Sequence, residues 1–325
     1  MAWQAPGRGA QSVALPWQAP ASRLAVAPAN FFPEKEQPMT ASRSLPILFF
    51  CCCLVAPDSG SAQQSAVAGK PIILAPHRAV YDLTLEKASG NTLAGVQGRL
   101  VYELLGSACS GYTQNMRFVT RSTSNEGEVS ISDQRSSTWE DNAGSQFRFT
   151  SSQYRDQELA EQSAGTARRD GPEGDIIVEL TRPEQKQVVI GGKALFPVQH
   201  SIALIAAARR KETLFTADFY DGAENGQRSY LTTAAIGRQL PAGFNKGLPR
   251  IANAERLDAV AAWPVSLSYF EHAPENKDAV PAYEMSFVFF DNGVTRRLYI
   301  DNGEYTMRGT LTELTFLQAE TCSKG

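Results

Sequence analysis

The feature that most constrains this chain is a long-running alternation of apolar and polar side chains. Tyr81, Leu83 and Leu85 alternate with Asp82, Thr84 and Glu86. Val96, Gly98, Leu100, Tyr102 and Leu104 fall on one face of the next segment, with Gln97, Arg99 and Glu103 on the other. Met116, Phe118 and Thr120 oppose Arg117, Val119 and Arg121, and Phe147 and Phe149 flank Arg148. Period two buries one face and wets the other, as antiparallel sheets commonly do.

The punctuation fits hairpins. Tyr283, Met285, Phe287 and Phe289 form one apolar face, followed by Asp291-Asn292-Gly293, a strand from Val294 to Ile300, Asp301-Asn302-Gly303, and a strand from Tyr305 to Phe316. Asn-Gly tolerates the positive φ that tight turns need, so this reads as a three-strand meander. Asn225-Gly226 joins Leu214–Asp221 to Arg228–Ile236, and Gly174–Thr181 and Gln187–Ile190 read as a further pair. One helix interrupts the pattern. Pro197 suits a first turn, Val198 to Ala208 is rich in Ala, Ile and Leu, and Arg209-Arg210-Lys211 places positive charge where a helix dipole favours it. It is apolar nearly all round, with Val198, Ile202 and Ile205 expected to be buried against the sheet. We therefore expect a mainly antiparallel all-β chain of a dozen or more strands. Residues 70–325 form one domain, a large curled sheet or incomplete barrel around the helix.

The N-terminal part reads differently. Residues 1–38 repeat Trp-Gln-Ala-Pro at 3–6 and 17–20 and have no strand or helix period, as expected of an over-extended start or a disordered leader. Met39 then opens a short basic stretch, Leu45 to Val55 is apolar, and small residues at Gly60-Ser61-Ala62 and Ala66-Val67-Ala68 follow. That is the order of a secretory signal peptide, residues 39–62, cleaved after Ala62 or Ala68. The run is too short to span a bilayer as a helix. Of five cysteines, Cys51, Cys52 and Cys53 sit in this segment and leave with it. Export leaves Cys109 and Cys322, one pair of thiols in an oxidising compartment, which invites a single disulfide. The formal net charge of −3 and the lack of a basic amphipathic stretch give no reason to expect nucleic acid or an anionic membrane surface as partner.

Chemistry is sparse. His77, His200 and His272 are the three histidines, and no H-E-x-x-H, C-x-x-C or H-x-H spacing supports zinc. There is no G-x-S-x-G around Ser107 or elsewhere. Asp218, Asp221 and Glu224 surround Asp221-Gly222 with the wrong spacing for a calcium loop, and read as turn-forming acids of a solvated hairpin. No catalytic residue, metal or cofactor is expected. Trp139 and Trp263, with Tyr269 and Phe270, read either as core anchors or as the lining of an apolar cleft, which an incomplete barrel would offer.

An ordered set of short stretches resembles the EipB family of alphaproteobacterial cell-envelope integrity proteins. They are His77 to Leu83, Gly98 to Glu103, Ser107-Ala108-Cys109, Thr138-Trp139-Glu140-Asp141, Asp218 to Gly222, Trp263 to Ser266, Phe289 to Gly293 and Arg308 to Thr312, ending before Cys322. The resemblance covers about residues 70–322. It implies a periplasmic β-spiral akin to periplasmic lipoprotein carriers, with a disulfide at Cys109 and Cys322. It also implies a role in envelope integrity under stress, a periplasmic tetratricopeptide-repeat partner and no enzymatic activity. Two functions fit the residues: a non-catalytic scaffold acting through that partner, and a carrier or sensor of a lipid or acyl chain. A groove plugged by Val198–Ala208 would favour the scaffold. An open groove lined by aromatics outside the helix would favour the carrier.

Overall fold

The computed structural model describes residues 70–171, 174–272 and 280–320. The expected leader, the signal segment and Cys322 lie outside these residues. The first strands are β1 (His77–Ala88), β2 (Leu93–Ser107), β3 (Gly111–Ser124) and β4 (Val129–Glu140), followed by β5 (Gln146–Arg155), β6 (Glu158–Arg169), β7 (Ile176–Arg182) and β8 (Lys186–Ile190). Helix α1 (Pro197–Arg209) follows, then β9 (Leu214–Phe219), β10 (Tyr230–Ile236), β11 (Ala262–Glu271), β12 (Tyr283–Phe290), β13 (Thr295–Asp301) and β14 (Tyr305–Phe316).

All of these strands join one 14-stranded sheet of order β8-β7-β6-β5-β4-β3-β2-β1-β14-β13-β12-β11-β10-β9. Every neighbour but one is a sequence neighbour, and every pairing is antiparallel; the exception, β1 with β14, splices the two halves in the middle, with His77 opposite Phe316. The sheet is not closed, because its two edges are β8 and β9, the strands that flank α1 in sequence. The chain thus spirals, and α1 is the segment carried from one free edge to the other. The β9 edge is partly covered: the Leu195 amide donates to the Asp218 carbonyl at 2.7 Å and the Tyr220 amide to the Leu195 carbonyl at 3.0 Å. Such cover limits the pairing hazard of an open strand.

The meander from Tyr283 to Phe316 and the β7–β8 pair form where alternation and turn residues place them. β9 and β10 do pair, but not through a tight turn at Asn225-Gly226; residues 220–229 form a longer loop with a 3-10 turn at Glu224–Gly226. That loop is held against the far half of the sheet. The Ser163 hydroxyl of β6 donates to the Gly222 carbonyl at 2.6 Å, and the Tyr220 hydroxyl donates to the Gly226 carbonyl at 2.9 Å. Gly222 adopts φ +75°, and a Cβ there would lie 2.3 Å from the Phe149 ring, so only glycine lets the loop approach β5.

Helix α1 is buried through Val198, His200, Leu204, Ile205, Ala207 and Ala208, with Ile202 partly buried against the same core. Each fully buried aliphatic side chain contributes about 1.5–3 kcal/mol. Pro197 occupies the first turn, and the N-cap residue Phe196 offers no side-chain acceptor. The missing cap comes from the sheet. The Glu140 carboxylate, at the end of β4 and 1% exposed, accepts the Val198 and Gln199 amides at 2.8 and 2.9 Å. The other end is tied by Arg209, which grips Asp291 of the β12–β13 turn through two bonds of 2.6 Å and also donates to the Lys70 carbonyl. The Glu140 carboxyl thus satisfies orphan amides at the helix N-terminus, and the Arg209 cation at its C-terminus complements the helix dipole.

Candidate functional site: a cavity between helix and sheet

Between α1 and the concave face of the sheet lies a cavity of about 700 Å³. That is within the roughly 300–1,000 Å³ of small-molecule sites. Its apolar walls come from Phe118, Leu204, Phe219, Leu267, Phe287 and Phe289. Along β12 it is lined by Tyr283, Met285, Phe287 and Phe289 in succession, a run of about 20 Å at the usual strand rise. The helix contributes Pro197, Ser201 and Leu204 as one wall, while the strands supply aromatic, aliphatic and amide side chains to the rest. The helix borders this space and leaves it open.

The end of the cavity near Tyr283 has a different character. Asp221 and Glu224 of the 220–229 loop, Glu161 of β6 and Tyr230, Tyr269 and Tyr283 all line it. The Tyr269 and Tyr283 rings are stacked with centroids 4.1 Å apart, and Tyr230 packs edge-on against both at 6.2 and 6.1 Å. Burial pushes the hydroxyls of all three well above the ordinary tyrosine range, and the nearby Asp221 carboxyl pushes them in the same direction. The Tyr230 hydroxyl donates to Glu224, which also meets Arg228 at 3.4 Å. The Asp221 carboxyl is itself raised above the usual range by burial, against the pull of the Ala223 amide that it accepts at 2.9 Å. Asp221 does form the turn its sequence context implies, by accepting the amide two residues on, but it is only partly exposed and also lines the cavity. The loop that carries it folds inward onto β5 and β6.

The other singled-out residues are distributed by strand parity. Tyr269 lines the cavity, so its neighbour Phe270 takes the opposite face of β11 and is partly exposed. Trp263, 4% exposed, is a member of the main core cluster rather than of the cavity wall. Trp139 sits on the outer face, half-buried under the Arg148 guanidinium at 4.5 Å, because Glu140 beside it points inward. Cys109 is disulfide-bonded and exposed, and its partner lies outside the described residues. Ser107 caps its own turn by accepting the Cys109 and Ser110 amides, each at 3.3 Å.

His77 donates from Nδ1 to the Ala75 carbonyl at 2.7 Å. His200 Nε2 donates to the Thr232 hydroxyl at 2.9 Å, since that hydroxyl's proton goes to the Ala217 carbonyl at 2.8 Å. Burial pushes His200 down to about 4, so it is neutral at physiological pH. Among the described residues, no group of three or more His, Cys, Asp or Glu is placed to hold a metal ion. The inward-facing Asp221 and the capping Glu140 carry no periodic signal, since each depends on what a distant segment packs against.

An unclosed antiparallel sheet curled around a helix, with a ligand-sized cavity between them, defines a β-barrel-like fold. The EipB-like family profile matches residues 68–318. The cell envelope integrity protein EipB of Brucella abortus (strain 2308) is 35% identical over 253 residues, covering 77% of this chain and 87% of that protein. A solved beta-barrel-like protein of a domain of unknown function from Brucella abortus superimposes with a TM-score of 0.67 at 34% identity, over 75% of this chain and 99% of that one. This chain belongs to the EipB-like family.

Proposed function

We propose that this protein supports cell-envelope integrity from the periplasm, as a non-catalytic binding protein whose working part is the cavity. The role follows the name of its Brucella relative. The observation that carries the mechanism is the 700 Å³ space walled by Phe118, Phe219, Phe287 and Phe289 and left open by the helix. A mainly apolar cavity that β12 lines for about 20 Å, with acidic groups at one end, suits one acyl or alkyl chain of an amphiphile. No nucleophile, metal or acid–base pair takes part in this account. The protein holds or senses its ligand and does not transform it.

A second reading has the chain act through a periplasmic tetratricopeptide-repeat partner. It is the role the family resemblance implies, and Val189 of β8 and Leu214 of β9, 59% and 61% exposed, are apolar side chains at the sheet edges where such a partner would dock. The two readings are compatible, since a carrier must hand on its cargo. Native mass spectrometry of the protein released gently from its own periplasm tests both. A bound lipid-sized species supports the cavity reading. A co-purifying tetratricopeptide-repeat protein without lipid moves the function to the sheet edges.

A further inference from the structure

The polar end of the cavity is unbalanced in charge. Asp221 is partly exposed, and it is among the side chains that line the cavity. Its Oδ1 accepts the Ala223 amide, but neither carboxylate oxygen has a cationic side chain beside it among the described residues. The nearest other charges are of the same sign. Glu161 accepts the Asn225 amide at 2.8 Å, and Glu224 is shared between Tyr230 and Arg228. A carboxyl set in a mainly apolar wall without a cation is costly to ionise, and a bound counter-charge removes that cost. No metal-binding group is assembled here among the described residues. What faces Asp221 is instead a corner of aromatic rings: Tyr269 and Tyr283 stacked, Tyr230 perpendicular to both, and Phe219 edge-on to Tyr269 at 5.7 Å. Rings set against a carboxylate make a recognised environment for an organic cation, because the π-faces attract an ammonium group while excluding water from it.

The geometry points to a headgroup subsite at Asp221, Tyr230, Tyr269 and Tyr283 that takes the positively charged, ammonium-type head of an amphiphile whose chain runs along β12 toward Phe289. This rests on the cavity reading above and adds to it the class of the head and the direction in which the ligand lies. An anionic head would meet Asp221, Glu161 and Glu224 together. An uncharged head would leave Asp221 uncompensated.

The test uses three single-chain probes with the same twelve-carbon tail, each kept below its micelle-forming concentration. They are dodecyltrimethylammonium, tetraethylene glycol monododecyl ether and dodecyl sulfate, titrated calorimetrically into the full exported chain. The expected result is that the ammonium probe binds about tenfold more tightly than the ether, equivalent to about 1.4 kcal/mol, and that the sulfate binds most weakly. Asp221→Asn should abolish the ammonium preference while the ether still binds saturably, and a cooperative thermal melt reports that the variant is folded. A general attraction of cations to an acidic surface would survive Asp221→Asn, and a surviving preference overturns the subsite. So do equal affinities of the three probes in the unaltered protein, which would leave the apolar cavity standing. Failure of every probe to bind overturns the cavity reading and the subsite with it.

Discussion

The Glu140 carboxylate, at the end of one strand, accepts the Val198 amide at 2.8 Å and so caps a helix 58 positions further along the chain. Helix α1 has no cap of its own, and its first-turn amides would otherwise be buried without partners. With Arg209 tied to Asp291 at the opposite end, the helix is fixed across the opening of the spiral and forms one wall of the cavity. The cavity wall is therefore held by two contacts, one from each half of the sheet to an end of the helix.

Removing the cap should cost stability without changing the fold. Glu140→Ala strands two buried donors, each worth about 1–3 kcal/mol when left unmade, partly offset by loss of a buried carboxyl. We expect a loss on the order of 2 kcal/mol, read by urea denaturation. Glu140→Gln, which keeps one acceptor, should lose less. Equal stability of Glu140→Ala and the parent would contradict the anchoring.

The same residue makes stability depend on pH. Burial raises Glu140 from 4.5 to about 8, so its contribution is full below 4.5 and is lost as pH rises toward 8. His200 is lowered from 6.5 to about 4, so its contribution is full above 6.5 and is lost on acidification toward 4. His77, also lowered by burial, acts in the direction of His200, and Asp221 in the direction of Glu140. Between 4.5 and 6.5 these terms oppose one another. Above 6.5 only the acids remain, and stability should fall with rising pH at about 1.4 kcal/mol per unit for Glu140 alone. Thermal melts from pH 6.5 to 8 should show this fall and a shallower one in Glu140→Gln; an unchanged slope in the variant would refute the assignment.

Gly222 is the tightest point of the inward loop. Gly222→Ala combines a positive φ with a Cβ placed 2.3 Å from Phe149, so the loop must lift from β5. A destabilisation of about 1–3 kcal/mol is expected, with faster amide exchange confined to residues 220–229 and the facing part of β6. A neutral substitution would mean that the loop does not pack as described.

The Arg209–Asp291 pair is partly exposed, at 30% and 26%, so its coupling should be modest. A double-mutant cycle with Arg209→Ala and Asp291→Ala should give about 1 kcal/mol, shrinking in high salt. A zero coupling energy at low salt would remove this contact from the account.

The disulfide of Cys109 should show a different pattern. With Cys322 as its expected partner, Cys109→Ser and Cys322→Ser lower stability alike, and the double variant is no worse than either single one. Markedly worse behaviour of the double variant would show that the two cysteines do not act as one bond.

Much of the sheet is legible in the sequence because its strands are half-buried and its hairpins carry Asn-Gly at positions that need positive φ. Gly293 and Gly303, both at φ +86°, are the examples. Helix α1 is legible because Pro197 and an unbroken apolar run leave no other local option. Alternation is silent on which distant strands meet, so the β1–β14 splice and the open edges at β8 and β9 are not recoverable from it. The site is only partly legible for the same reason. Tyr269 stands out as an inward aromatic, whereas Asp221 looks like any turn acid until the loop that bears it is seen folded against Phe149. Trp139 attracts notice for its size, but parity with Glu140 sets it on the outer face.

The central claim is that the cavity holds an apolar chain, and the most direct measurement is the affinity of a fluorescent long-chain alkyl probe for the protein and for Met285→Trp. Met285 lines the cavity midway along β12, and tryptophan there fills the space the chain would occupy. The account predicts saturable, one-to-one binding that Met285→Trp weakens at least about tenfold, about 1.4 kcal/mol, while the thermal melt stays cooperative. Undiminished binding to a folded Met285→Trp, or no saturable binding to the unaltered protein, would contradict it.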